Sequence, residues 1–302
     1  MKKFTLFVYA ILSVSPFLSY AKMTIVPLTK NEEGHLEIRA SINGVDAKFI
    51  LDTGATGTVI DINKLNVFGI TISQEKIAGI RIGDAETGKI ETFPVSIEQF
   101  SIAQKQLNIK SIYSNDTSGK FETDVMGLIG YDALADLSAL LDVKNLQLLI
   151  PENQGDIKKW LSDSANTAYQ TIDLYKSAMG FSFVDVQLGD KQVRLLVDTG
   201  APELILDESV LIEFGYELAS HPTAKSVVAE GIELPMKVLK NGGVTLGSMT
   251  LSGDFFTTDF TALMNAVNVQ NQPRLIGILG NKHLLQMNTL IDVANGKLYI
   301  KP

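Results

Sequence analysis

The sequence of 302 residues contains no cysteine, three histidines and one tryptophan. The absence of cysteine excludes disulfide bridges, thiol nucleophiles and thiolate zinc sites. His35, His221 and His283 lie far apart in the chain, which argues against a histidine-rich metal site. We therefore expect chemistry based on carboxylates or hydroxyls, or binding alone, with no metal and no cofactor.

Basic residues are also in deficit, with 26 Lys and Arg against 34 Asp and Glu and a formal charge of −8. A nucleic-acid partner requires a basic surface, so we do not expect nucleic acid to bind. Hydrophobic residues make up 45% of the chain and charged residues 20%, which is typical of a globular protein. A chain of this length corresponds to about two domains.

Long apolar runs are lacking as well, because none reaches the 18 or so residues of a membrane-spanning helix. The longest begins the chain, where Lys2 and Lys3 precede an apolar stretch over residues 4–18. Ser19 and Ala21 then supply the small residues that a signal peptidase recognises. We predict a signal peptide over residues 1–21, export to the periplasm or the medium, and no stable membrane span after cleavage. An uncleaved membrane anchor is the alternative.

What the chain does contain is an internal repeat. A shift of 146 positions superimposes residues 35–69 on residues 181–215 without a gap, and it aligns Asp52-Thr53-Gly54-Ala55 with Asp198-Thr199-Gly200-Ala201. At average composition, Asp-Thr-Gly is expected about 0.1 times in such a chain. Two copies in matched surroundings therefore indicate two duplicated lobes.

A second repeated block, shifted by 150 positions, aligns Gly-Leu-Ile-Gly at residues 127–130 with Gly-Ile-Leu-Gly at residues 277–280. We interpret these segments as structural elements that pack beneath the Asp-Thr-Gly loops. Asp142 and Asp292 occupy equivalent positions after them. We interpret both aspartates as turn or helix-end residues rather than as additional acids.

The repeat also divides the chain. We assign residues 22–150 to an N-terminal lobe, residues 151–179 to a polar and partly helical linker, and residues 180–302 to a C-terminal lobe.

Each lobe has the pattern of paired strands. Residues 36–42 alternate between apolar and polar side chains, and Asn43-Gly44 is a strong hairpin signal before a return strand that ends at Asp52. In the second copy a turn at Gly189-Asp190 precedes the strand that ends at Asp198. Capping residues and apolar spacing predict short helices over residues 61–69, 132–141, 207–215 and 282–287.

Two such loops related by a pseudo-twofold axis bring Asp52 and Asp198 face to face. Carboxylates about 3 Å apart cannot both ionise easily, so the pair shares one proton. The ionised member can then take a proton from water while the protonated member polarises a carbonyl group. The residues expected to support these loops, through hydrogen bonds and close backbone approach, are Thr53, Gly54, Ala55, Thr199, Gly200 and Ala201.

The duplicated Asp-Thr-Gly-Ala motif, followed in each half by an apolar segment that ends in Gly, resembles the aspartic proteases. Ala55 and Ala201 resemble the retropepsin branch rather than the pepsins, which carry Ser or Thr there. The resemblance implies an all-β chain with few short helices and two similar lobes of six-stranded β-barrel type, in the acid-protease fold with a pseudo-twofold axis. It also implies flap hairpins near residues 79–90 and 224–236.

The function implied is hydrolysis of polypeptide substrates by an exported aspartic endopeptidase, with Asp52 and Asp198 as catalytic residues. The alternative is a peptide-binding module that retains the cleft without cleaving. A third possibility, pairing between two chains, is disfavoured because a linker of about 29 residues lets the lobes of one chain meet. We therefore expect a monomer.

Overall fold

A computed structural model describes residues 21–72, 76–80, 89–153, 155–163, 168–177, 180–227, 233–267 and 273–301. Residues 1–20, which include most of the predicted signal peptide, lie outside the described residues. The described chain is nearly all β, with two barrel-like lobes and few short helices. Within these ranges, no helix has the length and apolar character needed to cross a membrane.

Among the described residues, the N-terminal half supplies thirteen strands, most of them short. They are β1 (Met23–Pro27), β2 (Thr29–Lys30), β3 (Leu36–Ile42), β4 (Val45–Leu51), β5 (Val59–Asp61), β6 (Ile77–Ile80), β7 (Lys89–Ser96), β8 (Phe100–Ile102), β9 (Lys105–Gln106), β10 (Ser111–Asn115), β11 (Val125–Ile129), β12 (Leu140–Asp142) and β13 (Gln147–Pro151).

The C-terminal half supplies the remaining strands. They are β14 (Gln170–Asp173), β15 (Tyr175–Lys176), β16 (Ser182–Leu188), β17 (Lys191–Val197), β18 (Ile205–Asp207), β19 (Ala219–Val227), β20 (Glu233–Leu246), β21 (Met249–Thr258), β22 (Leu275–Leu279), β23 (Leu290–Asp292) and β24 (Lys297–Ile300).

The helices within the described ranges are all short. They are a 3-10 helix (Ile62–Phe68), α1 (Tyr131–Asp136), α2 (Asp156–Ser162), α3 (Glu208–Glu213), α4 (Thr261–Val267) and α5 (Asn281–Gln286).

Both lobes are built with the same connections. In the N-terminal lobe, β3 and β4 form an antiparallel hairpin, β4 runs parallel to β11, and β5 lies between β11 and β10. In the C-terminal lobe, β16 and β17 form the hairpin, β17 runs parallel to β22, and β18 lies between β22 and β21. The sequence repeat is therefore a repeat of the three-dimensional lobe.

A six-stranded sheet joins the lobes in the order β1-β13-β12-β23-β24-β14, with three strands from each half. Its central pair is antiparallel, with Leu140 opposite Asp292, Leu141 opposite Ile291 and Asp142 opposite Leu290. A shift of 150 positions along the chain turns residues 140–142 of β12 into residues 290–292 of β23, so the two strands are equivalent and each occupies the other's place in the pairing. The pseudo-twofold axis therefore passes between Leu141 and Ile291.

The segment 151–179, predicted as a partly helical linker, contains α2 and two strands, β14 and β15. β14 pairs with β24 as β1 pairs with β13, so the second repeat already begins at Gln170, before the boundary drawn at residue 180. The short polar sequence Gln-Thr-Ile-Asp shows little strand character by itself. Its partner lies more than a hundred residues away, and only this distant pairing makes it a strand.

The short helices after the Asp-Thr-Gly loops are confirmed. The Asp61 side chain caps the 3-10 helix by accepting a hydrogen bond from the Asn63 N–H, and Gly69 ends it with a left-handed φ of 64°. Asp207 caps α3 by accepting from Val210 N–H. Each cap satisfies N–H groups that have no partner within the helix.

One helix prediction is too long. Residues 132–141 were expected to be helical, but α1 ends at Asp136 and Leu140 already belongs to β12. Ser138 has a φ of 49°, which breaks the helical path. Leu140 and Leu141 are then fully buried in the sheet between the lobes, so pairing with β13 and β23 outweighs the local helical pattern.

Asp142 and Asp292 were predicted to be turn or helix-end residues; they are the last residues of β12 and β23, and their side chains bind the turns that follow. Each is buried at the end of its strand and accepts a hydrogen bond from the N–H three residues on, Asn145 for the first and Asn295 for the second, both at 3.0 Å. They close the two hairpins, β12–β13 and β23–β24.

The apolar core is continuous across both lobes. Its large side chains include Phe49, Phe100 and Phe255, none of which is more than 1% exposed. Burying one such side chain contributes about 1.5–3 kcal/mol. The core supports the strands that end at the aspartate loops.

The predicted flap segments fall partly outside the described residues. β6 and β7 pair antiparallel, with Ile80 opposite Lys89, and residues 81–88 between them are not described. β19 and β20 also pair antiparallel, and residues 228–232 between them are likewise not described. The described strands flank both predicted flap tips.

Candidate active site

The two aspartates stand at the ends of equivalent buried strands. Asp52 follows β4 and donates its backbone N–H to the carbonyl of Ile129 at 2.9 Å. Asp198 follows β17 and donates to the carbonyl of Leu279 at 3.2 Å. Apolar residues on both faces bury these strands, and the Thr-Gly that follows turns each chain toward the other lobe.

The threonines connect the two loops across the axis. Thr53 N–H donates to Thr199 Oγ1 at 3.0 Å, and Thr199 N–H donates to Thr53 Oγ1 at 3.1 Å. The hydroxyl of Thr53 donates to the Val197 carbonyl at 3.0 Å, and that of Thr199 to the Leu51 carbonyl at 2.7 Å. Both side chains are buried. Each hydroxyl thus donates and accepts one bond, and the four bonds hold the loops together.

The glycines allow each loop to approach the carboxyl group of the other. A Cβ placed on Gly54 would lie 2.4 Å from Asp198 Cγ, and one placed on Gly200 would lie 2.5 Å from Asp52 Cγ. Such distances are far below van der Waals contact, so no larger residue fits at either position. The Asp52 and Asp198 carboxyl groups are hydrogen-bonded to each other between these glycines.

Burial is the largest influence on both carboxyl groups. It raises the pKa of Asp52, while hydrogen bonds from Asp198 and from the N–H groups of Gly54 and Ala55 oppose the increase. Burial, the negative charge of Asp52 and the hydrogen bond to it raise the pKa of Asp198 well above its usual 3.8. The structure thus favours one proton shared by the pair.

Backbone N–H groups oppose the increase in pKa at both aspartates, those of Gly54 and Ala55 at Asp52 and those of Gly200 and Ala201 at Asp198. Oδ1 of Asp52 accepts from Gly54 N–H at 2.8 Å and from Ala55 N–H at 3.0 Å. Oδ1 of Asp198 accepts from Gly200 N–H at 2.7 Å. Hydrogen bonds to a carboxylate favour its charged form.

The two repeated Gly-apolar-apolar-Gly segments pack directly beneath the loops. A Cβ on Gly130 would lie 2.5 Å from the Gly57 carbonyl carbon, and one on Gly280 would lie 2.2 Å from the backbone carbonyl oxygen of Glu203. The residues that follow these glycines donate their N–H groups to the carbonyls of Ala55 and Ala201, both at 2.8 Å. These two hydrogen bonds attach the backbone of both alanines to the segments beneath the loops.

Asn281 belongs to this site and was not predicted from the sequence. Its amide Nδ2 donates to the Thr199 carbonyl at 2.6 Å and to the Gly34 carbonyl at 3.1 Å. It therefore fastens the turn before β3 of the N-terminal lobe to the aspartate loop of the C-terminal lobe. The available signal was its place directly after the second repeated glycine, where the first copy has Tyr131.

Tyr113 was also missed. A Cβ on Gly57 would lie 2.6 Å from its ring, which therefore covers the chain just beyond the first Asp-Thr-Gly-Ala. The ring is 37% exposed. Only the parallel pairing of β10 with β5 brings it there, and this pairing cannot be derived from local sequence.

Among the described residues, no group of three or more histidines, aspartates and glutamates is placed to hold a metal ion.

The comparison with protein families agrees with this geometry. The family model described as aspartyl protease matches residues 38–133 and 184–282, one segment in each lobe. These segments cover more than half of the chain and contain both Asp-Thr-Gly loops. The chain belongs to the aspartyl protease family.

Solved structures share the fold over almost the whole chain. The aspartic proteinase from Irpex lacteus has a TM-score of 0.58 and 11% identity, over 93% of this chain and 97% of that protein. Basic 7S globulin from soybean has a TM-score of 0.50 and 9% identity, over 93% and 95% of the two chains. At these identities the likeness concerns the fold alone.

Among curated proteins, the chain is 25% identical over 205 residues to HPr kinase/phosphorylase from two strains of Clostridium kluyveri. The match covers 65% of this chain and 59% of those proteins, so the chain spans less than two thirds of their length.

Proposed function

We propose that this chain is an exported aspartic endopeptidase that hydrolyses peptide bonds with water activated between Asp52 and Asp198. The observation that carries the proposal is the pair of buried, hydrogen-bonded carboxyl groups on the axis, both with a raised pKa. Membership of the aspartyl protease family supports a polypeptide as the substrate.

In the proposed reaction Asp52 accepts a proton from water, whose oxygen bonds to the carbonyl carbon of the substrate. Asp198 gives its proton to the carbonyl oxygen, so a neutral diol forms. When the C–N bond breaks, Asp52 gives the departing nitrogen the proton that it took from water, and a diol hydroxyl returns a proton to Asp198. The sum is addition of one water across the peptide bond, with no covalent intermediate and no metal in the proposed step.

Both aspartates belong to one chain, and the hydrogen bonds between Thr53 and Thr199 join the two loops that carry them. We infer that the site is complete in a monomer. Phosphoryl transfer, which the name of the Clostridium kluyveri proteins suggests for them, is not proposed because the stretch Gly-Asp-Ala-Glu-Thr-Gly-Lys at residues 83–89 is followed by Ile90, where a phosphate loop has Ser or Thr.

The test compares cleavage of a mixed peptide library by the wild type and by the Asp52→Asn and Asp198→Asn variants between pH 3 and 8. Asp190→Asn is the matched control, because that side chain is 91% exposed in a hairpin turn. We expect cleavage by the wild type and the control, and loss of at least about 1,000-fold in either dyad variant. Full activity in either variant would refute the assignment.

A folded wild type that cleaves nothing at any pH would refute the endopeptidase proposal. Peptide binding by that protein would then support the alternative, a binding module with the same cleft.

We also propose export, on the strength of the basic and apolar start of the chain. Amino-terminal sequencing of the protein from fractionated bacterial cells expressing the full chain should find Lys22 as the first residue, in the periplasmic fraction. Retention of Met1 in a membrane fraction would instead indicate an uncleaved anchor.

A further inference from the structure

The first strand begins directly after the predicted signal peptide. The expected cleavage falls between Ala21 and Lys22, and β1 starts at Met23 as an edge strand of the six-stranded sheet that joins the lobes. Met23 stands opposite Pro151 of β13. The Lys22 carbonyl accepts a hydrogen bond from the Glu152 N–H at 3.0 Å, which extends this pairing by one residue. The backbone of Lys22 is therefore held at the edge of the sheet.

A buried carboxylate lies at the backbone nitrogen of Lys22. Asp156, the first residue of α2, is 1% exposed, and its carboxylate is hydrogen-bonded to the Lys22 N–H. Its Oδ2 also accepts from the Asn153 N–H at 2.9 Å and from Asn153 Nδ2 at 3.1 Å. A buried charge is costly unless it is paired and hydrogen-bonded. The turn over residues 153–156 thus presents a well-supported carboxylate to the start of β1.

The other charged groups around Asp156 are exposed. Lys159, on the same helix, has its Nζ 3.7 Å from Asp156 Oδ1 and is 51% exposed. The side chains of Lys22 and Glu152 on the sheet edge and of Lys158 on the helix are exposed as well. Burial acts to raise the pKa of Asp156, but the hydrogen bonds to its carboxylate and the charge of Lys159 hold the pKa below the usual 3.8. Asp156 is therefore ionised at neutral pH.

Hydrolysis of the Ala21–Lys22 bond changes the group that faces this carboxylate. A signal peptidase adds one water across the bond, which leaves a carboxylate on Ala21 and an α-ammonium group on Lys22. The peptide nitrogen has one proton to donate, whereas an ammonium group has three and carries a positive charge. Hydrogen bonds between charged partners are about twice as strong as neutral ones. Cleavage therefore converts a neutral contact with Asp156 into an ion pair.

We propose that Asp156 is a binding site for the mature amino terminus, which holds the α-ammonium group of Lys22 once the signal peptide is removed. The proposal rests on the proposed export and on cleavage after Ala21. Two independent observations meet at one residue. The small residues near the start of the chain predict cleavage before Lys22, and a buried carboxylate is hydrogen-bonded to the nitrogen that this cleavage would free.

The ion pair acts on the sheet that joins the lobes. Ile157 of α2 packs in one apolar cluster with Leu140 and Leu290, which belong to the two central strands of that sheet. Met23 of β1 packs against the same cluster. The ion pair therefore ties the edge strand to the helix that covers the sheet. The unprocessed chain, with a neutral peptide nitrogen at this place, lacks this tie.

The pH range of the effect follows from the α-amino group. Its pKa is ordinarily about 7.7–8.0, and a carboxylate beside it raises the pKa because the charged form is favoured. Since the pKa is raised in the folded state, the added stability is fully present below about pH 8. It is lost as the pH rises through the raised value.

The test measures the pKa of this α-amine in the mature protein, purified from the periplasm of cells that express the full chain. Every protein compared carries Lys22→Arg, so that the α-amine is the only group of residue 22 that trace acetic anhydride acetylates. Mass spectrometry follows the rate of acetylation between pH 6 and 10. We expect a midpoint about 1 pH unit above the ordinary value, and a return to about 7.7–8.0 in Asp156→Asn. Asp190→Asn, 91% exposed in a hairpin turn, is the control and should keep the raised midpoint.

An unshifted midpoint in the folded protein overturns the proposal, and so does an equally raised midpoint in Asp156→Asn. If Asp156→Asn does not fold, the protein with Asp156 intact is compared with itself unfolded in urea, and equal midpoints overturn the proposal. A chain that retains Met1 overturns cleavage and this proposal together, whereas a chain cleaved before residue 22 with an unshifted midpoint overturns this proposal alone. None of these measurements requires peptide cleavage by the protein, so failure of the endopeptidase function would be seen separately.

Discussion

Replacing Thr53 by valine tests whether the threonine hydrogen bonds hold the two lobes together at the site. Valine has nearly the shape of threonine, so the change removes the hydroxyl and leaves the packing intact. Thr53 is 1% exposed, and its hydroxyl bonds the Val197 carbonyl and the Thr199 N–H, at 3.0 and 3.1 Å. Each buried group left without this partner costs about 1–3 kcal/mol. We expect the free energy of unfolding to fall by about 2–6 kcal/mol.

The assay is chemical denaturation followed by far-ultraviolet circular dichroism at constant pH. Thr53→Ser keeps the hydroxyl and should lose less than about 1 kcal/mol. Thr250→Val is the matched control, because its hydroxyl pairs with Thr245 on an exposed surface at 2.9 Å, and it should change stability by less than about 0.5 kcal/mol. A loss in Thr53→Val no larger than in this control would refute the role given to the threonines.

The remaining predictions concern the close approach of Gly54 to the Asp198 carboxyl group and the dependence of stability on pH. Gly54→Ala puts a Cβ 2.4 Å from Asp198 Cγ and should lower peptide cleavage by at least about 100-fold, whereas Gly243→Ala, with its nearest atom at 3.9 Å, should leave it unchanged. Wild-type activity in Gly54→Ala would contradict the geometry. Because the folded state raises the pKa of Asp198, it holds more protons than the unfolded chain above pH 3.8, and stability should fall as pH rises from there. In denaturation experiments between pH 3 and 7, the stability of Asp198→Asn should fall less with rising pH than the stability of the wild type. An equal fall in stability would exclude Asp198 as its source.

The sequence predicted those features of the site that are repeated. Asp52, Asp198 and their threonines were found because the same short motif occurs twice in matched surroundings, which a single chain can show by itself. The repeat also predicted two similar lobes and the short helices capped by Asp61 and Asp207, because a cap is a local arrangement of a few residues.

Features that depend on distant pairing were not predictable in the same way. β14 gains its strand structure only from β24, and Leu140 leaves the helical pattern because β12 lies at the centre of the sheet between the lobes. Asn281 became part of the site through a contact with Gly34, 247 positions away in the chain. No local pattern encodes such contacts.

The central pairing of β12 with β23 has a consequence for how the sequences of the two halves can evolve. A dimer of identical chains presents every substitution twice, once on each side of its axis. Here backbone hydrogen bonds between β12 and β23 hold the two halves in a twofold arrangement like that of a dimer. Each half is encoded separately, so a substitution changes only one of them. A residue such as His35 can therefore differ from its counterpart Phe181 while the repeated aspartate loops stay the same.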